Sequence, residues 1–96
     1  MLVLAIGTLT GKDIEPHLPA EADHVRKLRE EGLIRDVFVK ADATGPILLL
    51  NDVDAAQAAD RLAALPFITE ELATFDYVEL ITITEAQERR RAHEAA

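Results

Sequence analysis

"PILLLNDVD", residues 46–54, sets four aliphatic side chains in a row and then breaks on Asn51 and Asp52. Successive side chains of a strand point to opposite faces, so Ile47 and Leu49 face one way and Leu48 and Leu50 the other. Such a strand needs apolar cover on both sides. Pro46 stands at its start, where a missing N–H is tolerated, and the preceding "DATG" reads as a turn with Asp42 and Gly45 as breakers. Downstream, Asp54 lies three residues before Gln57 and just ahead of "AAQAADRLAAL", which makes it the N-cap of a helix in a capping-box arrangement. Pro66 stops that helix.

Working outward, "LIRDVFVKA" (33–41) reads as a strand with Val37 and Val39 in one phase and Asp36, Phe38 and Lys40 in the other. Before it, "LPAEADHVRKLREEG" (18–32) carries Pro19 near its start, acidic residues early, basic residues late and Gly32 at its end, the marks of a helix. Its apolar stripe is Leu18, Ala22, Val25 and Leu28. The first strand runs from Leu2 to about Thr10 and closes on Gly11. After Pro66, "FITEELATF" reads as an irregular or briefly helical connection and "DYVELITI" (76–83) as a fourth strand. Thr84 and Gln87 repeat the capping-box spacing ahead of a polar tail that starts as a helix.

The order is βαββαβ. This predicts an α+β, ferredoxin-like domain over residues 1–83, with a polar helical tail over 84–96. Right-handed crossovers place both helices on one face of a four-stranded antiparallel sheet and leave the other face open. A face in water calls for alternating strands, yet "LVLAI", "ILLL" and "LITI" are apolar in both phases. No further apolar element is present to cover them. The prediction is a homodimer or higher homo-oligomer with sheets packed face to face as a dimeric α/β barrel, enclosing a cavity for a small-molecule ligand.

Composition narrows the function. The chain has 96 residues, and Phe38, Phe67, Phe75 and Tyr77 are its only aromatics, so Leu, Ile, Val and Ala build the core. Eighteen acidic against ten basic residues give a net charge of −8, which repels nucleic acid and anionic membranes at long range. Neither is expected as a partner. Without cysteine there is no disulfide, thiolate catalysis or thiolate metal site. "LVLAIGTL" lacks a preceding basic region and a cleavage pattern, and no apolar segment approaches membrane-spanning length, so the expected location is cytoplasmic.

"LREEGLIRDV", the aliphatic third strand, the Asp-capped Ala-rich helix and "LPF" ahead of the last strand resemble the muconolactone isomerase family of dimeric α/β barrels, over residues 18–83. The resemblance rests on Leu28, Gly32, Arg35, Leu65 and Pro66. It implies an oligomeric, cofactor-independent enzyme that moves a proton to shift a double bond in a small lactone acid, with a pocket inside each half barrel. The same superfamily includes antibiotic-biosynthesis monooxygenases and small ligand-binding proteins, so a non-catalytic binding or structural role and a cofactorless monooxygenase stand as alternatives.

The candidate chemistry lies in three places. His17, Glu21 and His24 share one flank of the first helix; a histidine there suits proton shuttling, while too few further ligands are present to expect a metal. If Val37 and Val39 face the helices, Asp36, Phe38 and Lys40 face the cavity, where Lys40 can hold a substrate carboxylate. If Val78 and Leu80 likewise face the helices, Tyr77 and Glu79 point into the cavity. Glu79 among aliphatic neighbours is then the candidate base, unless it forms an ion pair with Lys40. Arg35 either caps helix carbonyls or binds an acid. Arg89, Arg90 and Arg91 read as a charge complement within or between subunits, or as a solvated tail. No phosphate-loop spacing occurs, and the chain contains no serine for a triad.

Overall fold

Strand β1 (Leu2–Leu9) is the centre of the molecule. In the computed structural model, which describes residues 1–95, β1 pairs antiparallel with β3 (Pro46–Asn51) on one side and β4 (Ala73–Leu80) on the other. Strand β2 (Ile34–Val39) completes the sheet outside β3, giving the order β2-β3-β1-β4. A single 3₁₀ turn at Glu15–His17 leads into helix α1 (Leu18–Glu30). Helix α2 (Ala55–Leu62) follows β3, a short helix α3 (Pro66–Thr69) precedes β4, and α4 (Ile83–Ala95) follows it. This is the ferredoxin-like βαββαβ arrangement in an α+β domain, with an added C-terminal helix. Ala96, the last residue of the expected tail, lies outside the described residues.

The opening stretch is buried as its composition requires. Leu48 and Leu50 are sealed under the helices with Val3, Ala5, Ala58, Leu62 and Leu65, while Ile47 and Leu49 are half-buried on the opposite face. Cross-strand pairing gathers Leu4, Ile6, Ile47, Leu49, Val78 and Phe38 on that second face. No element of the chain packs over it among the described residues. Phe38 is 55% exposed there.

Local chemistry sets the ends of the elements. Asp54 accepts from the Gln57 amide at 2.8 Å while the Gln57 side chain accepts from the Asp54 amide at 3.0 Å, a complete capping box. Helix α1 ends in a left-handed residue, Gly32 at φ +85°, and Leu33 N–H donates to Leu28 C=O at 3.0 Å. Asn51 donates from its side chain to Gly32 C=O at 3.1 Å and from its backbone to Leu33 C=O at 2.8 Å, so the polar break after the aliphatic run fastens α1 to β3.

Two boundaries differ from the sequence reading. Strand β4 covers 73–80 rather than 76–83, because β1, its partner from Leu9↔Ala73 to Leu2↔Leu80, runs out there. Residues 81–83 therefore leave the sheet, and Ile83 opens α4 at 78% exposure. The tail helix is capped at Thr82, not Thr84: Glu85 N–H donates to Thr82 Oγ1 at 3.1 Å.

Candidate functional site

Helix α1 packs against β2 and α3, and α2 against β4 and β1, so the two helices share the same face of the sheet. Along α1 the packing is uneven. Val25 and Leu28 join the core, but Leu18 and Ala22, the other half of the expected stripe, are exposed and line a cleft. The cleft has a volume of about 640 Å³. Its floor is Leu9, Pro46, Leu48 and Phe75, and its outer edge is Val37 and Val39 of β2. Ile14 and Phe67 close one end. Among these apolar walls the only charged residues are Glu21, Arg26 and Arg29.

Glu21 is the buried one, 9% exposed. Its Oε1 accepts from Phe67 N–H at 3.0 Å, which ties α1 to the first turn of α3. Burial pushes the carboxyl above its ordinary value of 4.5, against the opposing pull of the Phe67 amide and the nearby His24. No buried side-chain oxygen among the described residues lacks a partner, and Oε2 makes no protein hydrogen bond, so Oε2 is not sealed from solvent in a residue that lines the cleft. A carboxyl held by one oxygen and open at the other can exchange a proton with a bound molecule.

The raised value has a stability consequence. The folded state binds the Glu21 proton more tightly than the unfolded state, so as pH climbs from 4.5 through the folded value, stability is lost. Urea midpoints of wild type and Glu21→Gln compared across this range are expected to diverge, with the wild type falling relative to the variant as pH rises. Parallel curves would mean that Glu21 titrates alike in both states.

The remaining sequence candidates divide between two faces. Asp36, Phe38 and Lys40 lie on the open face as expected, with Lys40 Nζ donating to Thr8 Oγ1 at 3.3 Å. Tyr77 and Glu79 do not: they pair with Ala5 and Val3, whose side chains are on the helix side. The phase of β4 is thus the reverse of the sequence reading, and Val78 and Leu80 occupy the open face. Glu79 Oε2 accepts from Ala55 N–H at 2.9 Å, which places its carboxylate at the N-terminus of α2. Tyr77 stacks on Phe75 with ring centroids 6.4 Å apart, beside a second depression that includes Thr10 and Lys12. Burial raises the Tyr77 hydroxyl above its ordinary value.

Arg35 is the extra residue of a β-bulge between Ile34 and Asp36, and it is exposed. His17 sits in the 3₁₀ turn before α1, and His24 lies one turn beyond Glu21. Of that trio, Glu21 and His24 are brought into electrostatic contact. No group of three or more histidine, aspartate or glutamate side chains is arranged to hold a metal ion among the described residues. Nor is any helix there long and apolar enough to cross a membrane. The sequence reading placed Glu21 only on a helix flank and missed it as the acid of the cleft. Its signal was position: Glu21 falls between Leu18 and Val25, on the apolar stripe itself.

No protein-family model and no curated protein sequence matches the chain. Solved structures do match in shape. One is the 5-chloro-2-hydroxyhydroquinone dehydrochlorinase TftG from Burkholderia phenoliruptrix AC1100 in complex with 2,5-dihydroxybenzoquinone, at TM-score 0.66 and 14% identity, covering 88% of this chain and 98% of that one. Another is an antibiotic biosynthesis monooxygenase, at TM-score 0.50 and 20% identity, covering 85% of this chain and 100% of that one. What the chain shares with both is the ferredoxin-like fold, built from a different set of residues.

Proposed function

We propose that the protein is a small-molecule enzyme that moves a proton, without a cofactor, on a small lactone or carboxylic acid bound between α1 and the sheet. The observation that carries this reading is Glu21: one buried carboxyl in an apolar cleft, with raised proton affinity and one oxygen free. An ionised Glu21 takes a proton from a carbon beside a carbonyl, the bonding pair moves into a dienolate, and the proton returns at the far carbon. The double bond shifts and nothing else is consumed. Two proteins of the same fold, a dehydrochlorinase holding a dihydroxybenzoquinone and a monooxygenase, support chemistry on small molecules, although fold alone does not choose the reaction.

The test is deuterium incorporation. A panel of unsaturated lactone acids and hydroxyquinones is incubated with the protein in D₂O and followed by proton NMR. Exchange or isomerisation above the buffer rate supports the reading. Binding without exchange favours the second reading, a ligand-binding protein, which the hydrogen bond already occupying Glu21 Oε1 supports.

The reading includes a second copy of the chain across the open sheet face. At roughly 25 cal/mol per Å², burying several hundred Å² of apolar surface contributes several kcal/mol, and faces that large are rare on monomers. Leu4 pairs with Leu49 and Val78 near the middle of the face. Sedimentation is expected to give a dimer or larger species for the wild type and a folded monomer for Leu4→Glu. A monomeric wild type at micromolar concentration would remove the second copy.

A further inference from the structure

Glu21, Val25 and Arg29 follow one another at four-residue steps along α1 and all line the cleft. The two arginines there are not equivalent. Arg26 is taken up by its own helix, with Asp23 at 2.5 Å and Glu30 at 2.9 Å. Arg29 has no carboxylate partner among the described residues, and it is exposed at the cleft's edge. Eight residue steps of helix lead from Glu21 to Arg29, about 12 Å along the axis at 1.5 Å per residue. Both side chains lean toward the helix N-terminus, the longer arginine further, which brings the charged ends closer than the backbone spacing.

We infer that Arg29 is the anion anchor of the cleft, so that its ligand binds in one orientation. An anionic group lies at Arg29, an apolar body covers Val25 and Phe75, and the far end lies at Glu21. This inference rests on the cleft reading above and adds to it the polarity and length of the ligand. A guanidinium matches a planar carboxylate with two parallel hydrogen bonds. A chain of net charge −8 repels anions at long range, and a guanidinium at the cleft offsets that repulsion locally. The ligand class is an aromatic-sized acid whose carboxylate is separated from its reacting end by one or two rings.

The experiment compares two isosteric probes, naphthalene-2-acetate and naphthalene-2-acetamide, titrated into wild type, Arg29→Gln and Arg61→Gln and followed by amide chemical shifts. The wild type is expected to bind the acetate about fivefold more tightly, the scale of one partly exposed ion pair. Shifts are expected to centre on Val25, Val39 and Phe75. Arg29→Gln is expected to erase that preference by weakening the acetate alone, and added salt to do the same. Arg61→Gln, the same charge loss at an arginine that pairs with Glu31 outside the cleft, is expected to keep it. Equal affinity for the two probes in the wild type, or a preference that survives in Arg29→Gln, overturns the anchor and leaves the cleft standing. Absence of shifts at the cleft residues with either probe overturns both.

Discussion

Glu21→Gln is expected to lower proton exchange on an active substrate by about 10²- to 10⁴-fold, the usual contribution of a positioned acid or base. Glutamine keeps the volume and an oxygen that can accept from Phe67 N–H, so the tie between α1 and α3 is retained. What is lost is a group that ionises. The paired variant is Glu79→Gln: that carboxylate accepts from Ala55 N–H, so its loss is expected to leave exchange within a few-fold of wild type. NMR exchange rates at matched protein folding check both. Equal rates for wild type and Glu21→Gln would exclude Glu21 as the proton carrier.

Gly45→Ala is expected to be the most damaging single methyl in the chain. A Cβ at Gly45 would stand 2.1 Å from the carbonyl oxygen of Gly7 and 2.6 Å from its carbonyl carbon, both backbone atoms of the central strand. No rotamer relieves that contact. The hairpin end is also pinned there, with Leu9 N–H donating to Thr44 C=O at 2.8 Å and Lys40 N–H to Gly45 C=O at 3.0 Å. Overpacking of this kind costs about 3 kcal/mol or more, against a total stability of about 5–14 kcal/mol for a chain of this length. At about 4–8 °C per kcal/mol, Tm falls by about 12 °C or more. Calorimetry or thermal circular dichroism checks this. A change of only a few degrees would show that β1 and the hairpin can separate freely.

The architecture was legible because its signals are local and agree with one another. Gly32, Asp54 and Pro66 mark the helix ends by backbone chemistry, and "ILLL" demands two covered faces whatever packs on it. The site was less legible for a related reason. Strand β4 carries apolar residues in both phases, so hydropathy cannot say which set meets the helices; only its register against Val3 and Ala5 does. That one ambiguity exchanged Tyr77 and Glu79 with Val78 and Leu80. Arg35 escaped for another reason, since a bulge adds a residue without leaving a composition signal. Glu21 was hidden by its neighbours: between His17 and His24 it reads as a member of a polar flank, although its spacing from Leu18 and Val25 puts it on the apolar side.

Strand β3 acts as a ruler for the cleft. At one end Pro46 forms part of the floor, and at the other Asn51 is fastened to the carbonyl of Gly32, three residues beyond Arg29. Six strand residues at about 3.3 Å each fix the distance between those points. Substitutions along α1 therefore change which side chains meet the ligand, while the backbone that carries them keeps its place along the strand. Residues added to β3 must come in pairs or be taken up in a bulge, because a single insertion carried through the strand would turn Leu48 and Leu50 away from the core.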